Sequence, residues 1–147
     1  MSDPPRPALA PAHAPAPAPA SGGGRLTRRV LGYDSTMKRL VAASEDGIDW
    51  SPLTQFVAVD DFERVGTFLE VQDWNQYTEM LTRWAAATDS FETSVRRISE
   101  LESLVYYEIE ERHARGADVH VINSMTVFEF DGRDQIRRLH VYLQQAR

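Results

Sequence analysis

The chain has 147 residues, 42% of them hydrophobic, with 22 acidic against 16 basic residues for a net charge of −6, and it has no cysteine. A negative domain repels phosphate backbones, which argues against a nucleic-acid partner, and the lack of thiols excludes thiol catalysis, disulfides and cysteine-based metal sites. No apolar run approaches the roughly 18–20 residues of a membrane span, and the N-terminus lacks the pattern of a signal peptide. We therefore expect a cytoplasmic protein without membrane contact.

The first 24 residues differ in composition from the rest. Residues 4–20 hold seven of the eight prolines, and three glycines follow at 22–24. Proline fixes φ and removes a backbone donor, while alanine offers little to bury, so this stretch cannot support a core. The pattern predicts a disordered Pro/Ala-rich tail over 1–24 with a Gly hinge, followed by one folded domain over 25–147.

Helical patterns fill residues 28–87. Thr27 is a plausible N-cap for a helix of about 28–44, and Ser51 with Pro52 predicts a short helix over 52–59. Residues 62–65 read as a short strand. Asp73 is expected to cap an amphipathic helix over 74–87, whose apolar face holds Trp74, Tyr77, Leu81 and Trp84.

After residue 90 the hydrophobic period changes from helical to strand-like. Segments 91–99, 104–113, 118–130 and 135–144 are rich in β-formers and are separated by short stretches of turn residues. Connections this short exclude helical crossovers, so the strands must form an antiparallel meander. The predicted fold class is α+β, a cone-like curved antiparallel sheet with a short N-terminal strand, packed on three helices.

Segment 118–130 is apolar on both alternations. Ile122, Phe128 and Phe130 lie on one side, and Val121, Met125 and Val127 lie on the other. A sheet with one solvated face would not show this pattern. We predict that a second copy of the chain covers the outer sheet face and that the protein is a homodimer.

The element order and the terminal hairpin 123–144 together resemble the nuclear-transport-factor-two-like superfamily. In that hairpin an apolar strand ends in Phe130-Asp131, turns through Gly132 and returns at Ile136-Arg137. The stretch 66–84 is similar to the segment that leads into the family's third helix. The resemblance covers about residues 27–145 and implies a SnoaL-like domain related to ketosteroid isomerases and limonene epoxide hydrolases.

Carrying over the isomerase residues argues against steroid isomerisation. The acid donor of that family falls on Thr126, whose hydroxyl cannot match a buried protonated carboxylic acid as a hydrogen-bond donor. Tyr33 corresponds to the tyrosine donor on the first helix. Asp60 and Asp61 come slightly early for the general base.

The epoxide-hydrolase pattern depends on the strand register. The last-strand aspartate position falls on Val141. On the earlier strand, a gapped alignment places Tyr106 and Glu108 in the Arg and Asp positions, and an ungapped one places Tyr107 and Ile109 there. The alternation favours the ungapped register, with a tight turn at Arg115-Gly116 that pairs 107 with 124 and 109 with 122. A bulge at Gly116 would instead turn Glu108 into the pocket as a general-acid candidate.

The three histidines of the strand region are the next candidates for a base or a metal ligand. His120 alternates with Ile122, so it is a candidate base at the pocket rim, whereas His113 beside the turn and His140 beside Tyr142 are expected to be exposed or outward-facing. Glu111 and His113 alternate on one strand, but no third ligand has a defined spacing, so no metal site is predicted.

The leading hypothesis is a pocket protein that binds a small, largely apolar organic molecule without a cofactor and, if it is an enzyme, performs acid–base isomerisation, cyclisation, dehydration or epoxide hydrolysis. The catalytic candidates are Glu108, His120 and Tyr33. The alternative is a non-catalytic homodimeric scaffold or protein-interaction module of the same fold, with its cavity filled by aromatic side chains. The predicted pocket lining is Tyr107, Ile122, Ser124, Thr126, Phe128, Leu139, Val141, Leu143, Trp74, Tyr77 and Trp84.

Overall fold

The computed structural model describes residues 24–43 and 47–146. Apart from Gly24, the predicted tail lies outside the described residues, as does residue 44 at the predicted end of the first helix. The elements in chain order are helix α1 (Arg25–Ala42), two 3₁₀ segments (Ser51–Phe56 and Val59–Asp61), strands β1 (Glu63–Val65) and β2 (Val71–Gln72), helix α2 (Trp74–Ala86), and strands β3 (Ser90–Leu101), β4 (Leu104–Arg115), β5 (Asp118–Phe130) and β6 (Ile136–Gln145).

Helix α1 begins earlier than predicted, because its N-terminus is capped from another element. The N-cap is Gly24, which supplies no side-chain cap, and Thr27 lies buried inside the first turn. The Glu100 carboxylate at the end of β3 accepts hydrogen bonds from the Thr27 backbone N–H and from its hydroxyl, both at 2.8 Å. The assignment of Thr27 as the N-cap is therefore wrong. A carboxylate distant in sequence satisfies these donors instead.

The short helix predicted between the two long helices is present, but its type and bounds differ from the prediction. The predicted helix over 52–59 is a 3₁₀ segment that begins at Ser51 and is followed by a second short one.

Helix α2 has the predicted cap: Asp73 accepts from the Gln76 N–H at 2.8 Å, and the Gln76 side chain accepts from the Asp73 N–H at 2.9 Å. This reciprocal pair is a capping box, which fixes where the helix starts.

The sheet has six strands in the order β2-β1-β6-β5-β4-β3. Strands β3 to β6 form the predicted antiparallel meander. Strand β1 pairs with β6 in parallel, so the sheet is mixed rather than wholly antiparallel, and its two ends do not meet as a closed barrel. A register shift between Val95 and Arg97 marks a bulge in β3, which increases the local twist and curvature.

The register between β4 and β5 decides which side chains face the helices. Tyr107 pairs with Thr126 and Ile109 with Ser124, two residues away from the predicted partners, because the turn residues are Gly116 and Ala117 rather than Arg115 and Gly116. A shift of two residues keeps every side chain on its predicted face. No bulge interrupts the described pairing of β4 with β5.

The core lies between the concave sheet face and the two long helices. Its most deeply buried large side chains are Val30, Leu53, Val105 and Ile136. They come from α1, the first 3₁₀ segment, β4 and β6, so one apolar cluster ties the helices to the meander. Among the described residues, no helix has the length and hydrophobicity required to cross a bilayer.

Candidate functional site

A cavity of about 280 Å³ opens between the concave sheet face, α1 and α2. This is close to the lower end of the roughly 300–1,000 Å³ typical of small-molecule sites. Of the pocket and catalytic residues predicted from the sequence, those that line it are Tyr33, Tyr77, Trp84, Tyr107, Ile122, Ser124, Thr126, Phe128, Leu139, Val141 and Leu143. A cavity wall of this kind can hold the apolar body of an organic molecule.

Trp74 does not line this cavity. It is buried at the start of α2, where its ring meets Phe62 edge-on with centroids 5.1 Å apart and lies 6.1 Å from Tyr77. Since Trp74 precedes Trp84 by almost three helical turns, the two indoles share a helix face but lie at opposite ends of the helix. Trp74 therefore serves the core beside β1.

A larger open groove of about 650 Å³ lies between the C-terminal ends of both helices and the start of β3. It shares Phe91 with the cavity. Lys38, Asp89 and Glu92 line the groove, and Asp89 accepts a hydrogen bond from the Gly116 N–H at 2.6 Å. The smaller cavity combines carboxylates with a histidine and three tyrosines, and is therefore the better candidate for acid–base chemistry.

One end of the cavity holds a hydrogen-bonded chain of three side chains. The Trp84 indole Nε1–H lies 3.2 Å from His113 Nδ1, and His113 Nε2 lies 2.9 Å from Glu111 Oε1. An indole nitrogen can only donate, so His113 Nδ1 must accept, and in the neutral ring the proton is on Nε2 and is donated to Glu111. Both side chains are mostly buried, 19% and 17% exposed. The geometry thus fixes the histidine tautomer and orients the carboxylate.

A second polar pair lies further along the same strand. The Tyr107 hydroxyl donates to Asp34 Oδ2 at 2.8 Å, and Lys38 Nζ lies 3.0 Å from the same oxygen. Burial raises the pKa of Tyr107 well above its ordinary value, and the Asp34 carboxylate adds to this effect, so the phenol stays protonated. Four residues along a strand span about 13 Å, so Tyr107 and Glu111 bracket most of a small ligand.

Two further tyrosines line the cavity. Burial raises the pKa of Tyr33 well above its ordinary value, helped by the Tyr77 hydroxyl and by Asp34. Burial likewise raises the pKa of Tyr77, although the Arg64 guanidinium opposes the change. Tyr33 Oη is buried close to the Tyr77 hydroxyl. The cavity wall therefore carries two phenols that stay neutral.

Glu108 lies on the outer sheet face and not in the cavity. Its carboxylate accepts two hydrogen bonds from Arg97, at 2.6 and 3.2 Å, and lies 3.6 Å from Arg96. The continuous register at the β4–β5 turn places Glu108 opposite Met125, away from Tyr107 and Ile109. The geometry thus disfavours Glu108 as a general acid acting on a cavity ligand.

The remaining polar candidates also lie outside the cavity lining. His120 pairs with His113 across β4 and β5, yet it is exposed beyond the cavity wall. His140 pairs with Val127 on the outer face, as expected. Asp60 and Asp61 are exposed on the second 3₁₀ segment. No steroid-isomerase base is therefore placed against the cavity from this segment.

Sequence reasoning missed the residues that carry the polar chemistry of the cavity. His113 was expected to be exposed, whereas it and Glu111 both line the wall, and Asp34 and Arg64 were not considered. The alternation of side chains along β4 could have identified Glu111 and His113, because positions 111 and 113 continue the strand face of 105, 107 and 109. The spacing of Asp34 and Lys38 by one helical turn was a second signal.

Within the described ranges, no group of three or more histidine, aspartate or glutamate side chains is arranged to hold a metal ion. The Glu111–His113 pair has Trp84 as its third member, and an indole nitrogen is not a ligand.

Comparison of the structure with solved proteins identifies the fold. An NTF2-like protein from Anabaena variabilis superposes with a TM-score of 0.66 at 15% identity, over 81% of this chain and 89% of that one. A structure described as a SnoaL-like polyketide cyclase from Shewanella putrefaciens gives a TM-score of 0.66 at 12% identity, over 84% and 83%. A limonene-epoxide-hydrolase-like enzyme from M. tuberculosis gives 0.60 at 18% identity, over 80% of both chains.

No family model and no curated protein matches the sequence. The structural likeness at these low identities shows the fold alone: the chain has the nuclear-transport-factor-two-like α+β cone that SnoaL-like cyclases and epoxide hydrolases share. A fold of this kind carries many activities, so function has to be argued from the cavity.

Proposed function

We propose that this chain binds a small, largely apolar organic molecule in the cavity and transforms it by acid–base chemistry without a cofactor. The observation that carries the proposal is the Trp84–His113–Glu111 chain on an otherwise largely apolar wall. A buried carboxylate with one oxygen held by a histidine leaves its second oxygen to accept a proton from a ligand. The proposed reaction is an isomerisation, a cyclisation, a dehydration or an epoxide hydrolysis.

Tyr107 and Asp34 orient the ligand in this scheme. The single O–H proton of Tyr107 is directed at Asp34 Oδ2, and Lys38 lies against the same oxygen, so the phenol stays protonated and offers an oxygen lone pair to a ligand. An acceptor fixed at one end of the cavity positions a ligand against the carboxylate at the other end. Glu111 is the proposed base and Tyr107 a proposed positioning group.

Native mass spectrometry of the purified protein, searching for a co-purified molecule, is the first experiment. On a substrate identified in this way, Glu111→Gln should lower kcat at least about a hundredfold, the range typical of a lost general base. Glu110→Gln, its neighbour on the outer face, is the matched control and should leave kcat unchanged. Full activity of Glu111→Gln would contradict the assigned base.

The non-catalytic alternative predicts a cavity filled by its own aromatic side chains. The volume of about 280 Å³ and the buried Glu111–His113 pair favour the pocket over that alternative. A cytoplasmic location stays a prediction from composition.

We further propose the predicted homodimer through the outer sheet face. The face exposes Val121 by 41% and Tyr142 by 58%, and Tyr142 pairs across strands with Met125. Light scattering should give a dimer at micromolar concentration, and Tyr142→Arg should shift it toward monomer. Phe68→Arg, at a tip that is 87% exposed elsewhere, is the control and should leave the dimer intact. A monomeric unmodified protein would contradict this proposal.

A further inference from the structure

Arg64 places a mostly buried guanidinium on the cavity wall. It lies on β1 opposite Leu139 of β6, which puts its side chain on the concave face, and the side chain is only 12% exposed. Its Nη1 donates to Gln72 Oε1 at 2.9 Å, and the nearest described carboxylate oxygen, on Glu70, lies 3.8 Å from the same nitrogen.

The described residues provide hydrogen-bond acceptors for only part of this guanidinium. Arginine carries five N–H donors, and no hydrogen bond from Nε or Nη2 is formed to the described part of the chain. Burying a charge is costly unless it is paired and hydrogen-bonded. The remaining donors of Arg64 therefore have room for an acceptor that the chain itself does not supply.

The neighbours of Arg64 include two phenols. The guanidinium carbon lies 5.2 Å from the centre of the Tyr77 ring, and Tyr33 lines the same cavity with its hydroxyl buried close to that of Tyr77. Arg64 lowers the pKa of both tyrosines against the larger effect of burial, which places all three groups within electrostatic reach of one another. One part of the cavity thus combines a positive charge with two neutral phenols.

We propose that Arg64 binds a carboxylate of the ligand, so that the substrate class is a small organic acid with an apolar body. Carboxylates match the planar guanidinium in two parallel hydrogen bonds. Asp34 and Glu111 line the same cavity, and their charges oppose a doubly charged phosphate more strongly than a singly charged carboxylate. This inference rests on the proposed function and narrows its substrate.

The test compares a matched acid and amide, 2-naphthoate and 2-naphthamide, by isothermal titration calorimetry on the full chain at neutral pH. The acid should bind the unmodified protein roughly tenfold or more tightly than the amide, since charge-assisted bonds to a buried group are at stake. Arg64→Gln should remove that preference and Arg64→Lys should retain part of it. Arg112→Gln, on the outer face, is the matched control and should keep the full preference.

The outcomes separate this inference from the proposed function. Equal binding of acid and amide to the unmodified protein, or an unchanged preference in Arg64→Gln, overturns the carboxylate site while the cavity remains a binding site. Binding of neither probe overturns both proposals. Circular dichroism checks that Arg64→Gln is folded; if it is not, the acid–amide difference in the unmodified protein and its reduction in Arg64→Lys decide the inference.

Discussion

The substitution Glu100→Gln tests how α1 is attached to the sheet. The carboxylate accepts two hydrogen bonds from Thr27 at 2.8 Å and lies close to the Leu26 N–H at the positive end of the helix. Glutamine keeps the shape and one acceptor oxygen but loses the charge. Hydrogen bonds to charged groups contribute about 1.5–3 kcal/mol, and a charge at a helix terminus contributes up to about 1 kcal/mol. We expect a net loss of about 1–2 kcal/mol in the free energy of unfolding.

Urea denaturation followed by circular dichroism measures this loss, which corresponds to roughly 3–8 °C in Tm for a domain of this size. Glu102→Gln, in the turn directly after β3, is the matched control and should change stability by less than about 0.5 kcal/mol. A value for Glu100→Gln within the error of this control would refute the capping argument.

The same contact predicts a pH dependence. Burial acts to raise the pKa of Glu100, but the hydrogen bonds from Thr27 and Leu26 outweigh it and hold the pKa below its ordinary value. A lowered folded-state pKa adds stability above the ordinary carboxyl pKa of about 4.3, and this stability is lost as pH falls through the folded value. The stability gap between unmodified protein and Glu100→Gln should stay constant from about pH 6 to 8 and narrow below about pH 4. A gap unchanged in acid would contradict the assignment.

Three further predictions concern the core, a turn and the buried phenols. Leu53→Ala, at a side chain with no exposed surface, should cost about 2–5 kcal/mol in urea denaturation, whereas Phe68→Ser at the exposed hairpin tip should change stability by less than about 0.5 kcal/mol. Gly116→Ala should lower the free energy of unfolding by about 1–2 kcal/mol because φ there is +60°. Gly132→Ala, with open space around it, is the control and should be near neutral. Equal losses in the two variants would contradict the cost assigned to the positive φ. Tyr107→Phe should leave the phenolate absorbance below about pH 11 unchanged, because burial and a neighbouring carboxylate keep that pKa far higher; a smaller rise would show that Tyr107 titrates normally.

The meander was predictable because its signals are local. A two-residue hydrophobic period and short polar turns determine strand pairing between neighbours, and the predicted and observed strands agree to within one or two residues. Although the turn beside Gly116 was misplaced by one position, the partner shift was two residues, so the assignment of Tyr107 and Ile109 to the cavity face was unaffected.

The errors arise where distant segments meet. Nothing near Thr27 in sequence indicates that Glu100 will cap its helix, and the exposed appearance of a His-Ala-Arg-Gly turn concealed that Trp84 would cover His113. Arg64 sits on a three-residue strand whose partner β6 lies at the far end of the chain. Such contacts depend on tertiary packing, which hydrophobic period and turn chemistry do not report.

The parallel pairing of β1 with β6 has a consequence for how the protein assembles. Glu63 meets Arg138 across half the length of the chain, so this ladder requires the closure of a long loop, whereas each hairpin of the meander closes over a few residues. We therefore expect the hairpins to form early and β1 to dock late, which brings Arg64 into place last. A chain arrested before that step would have the four-stranded meander without β1 and β2 and an incomplete cavity wall, and ligand retention would then report complete folding more faithfully than circular dichroism does.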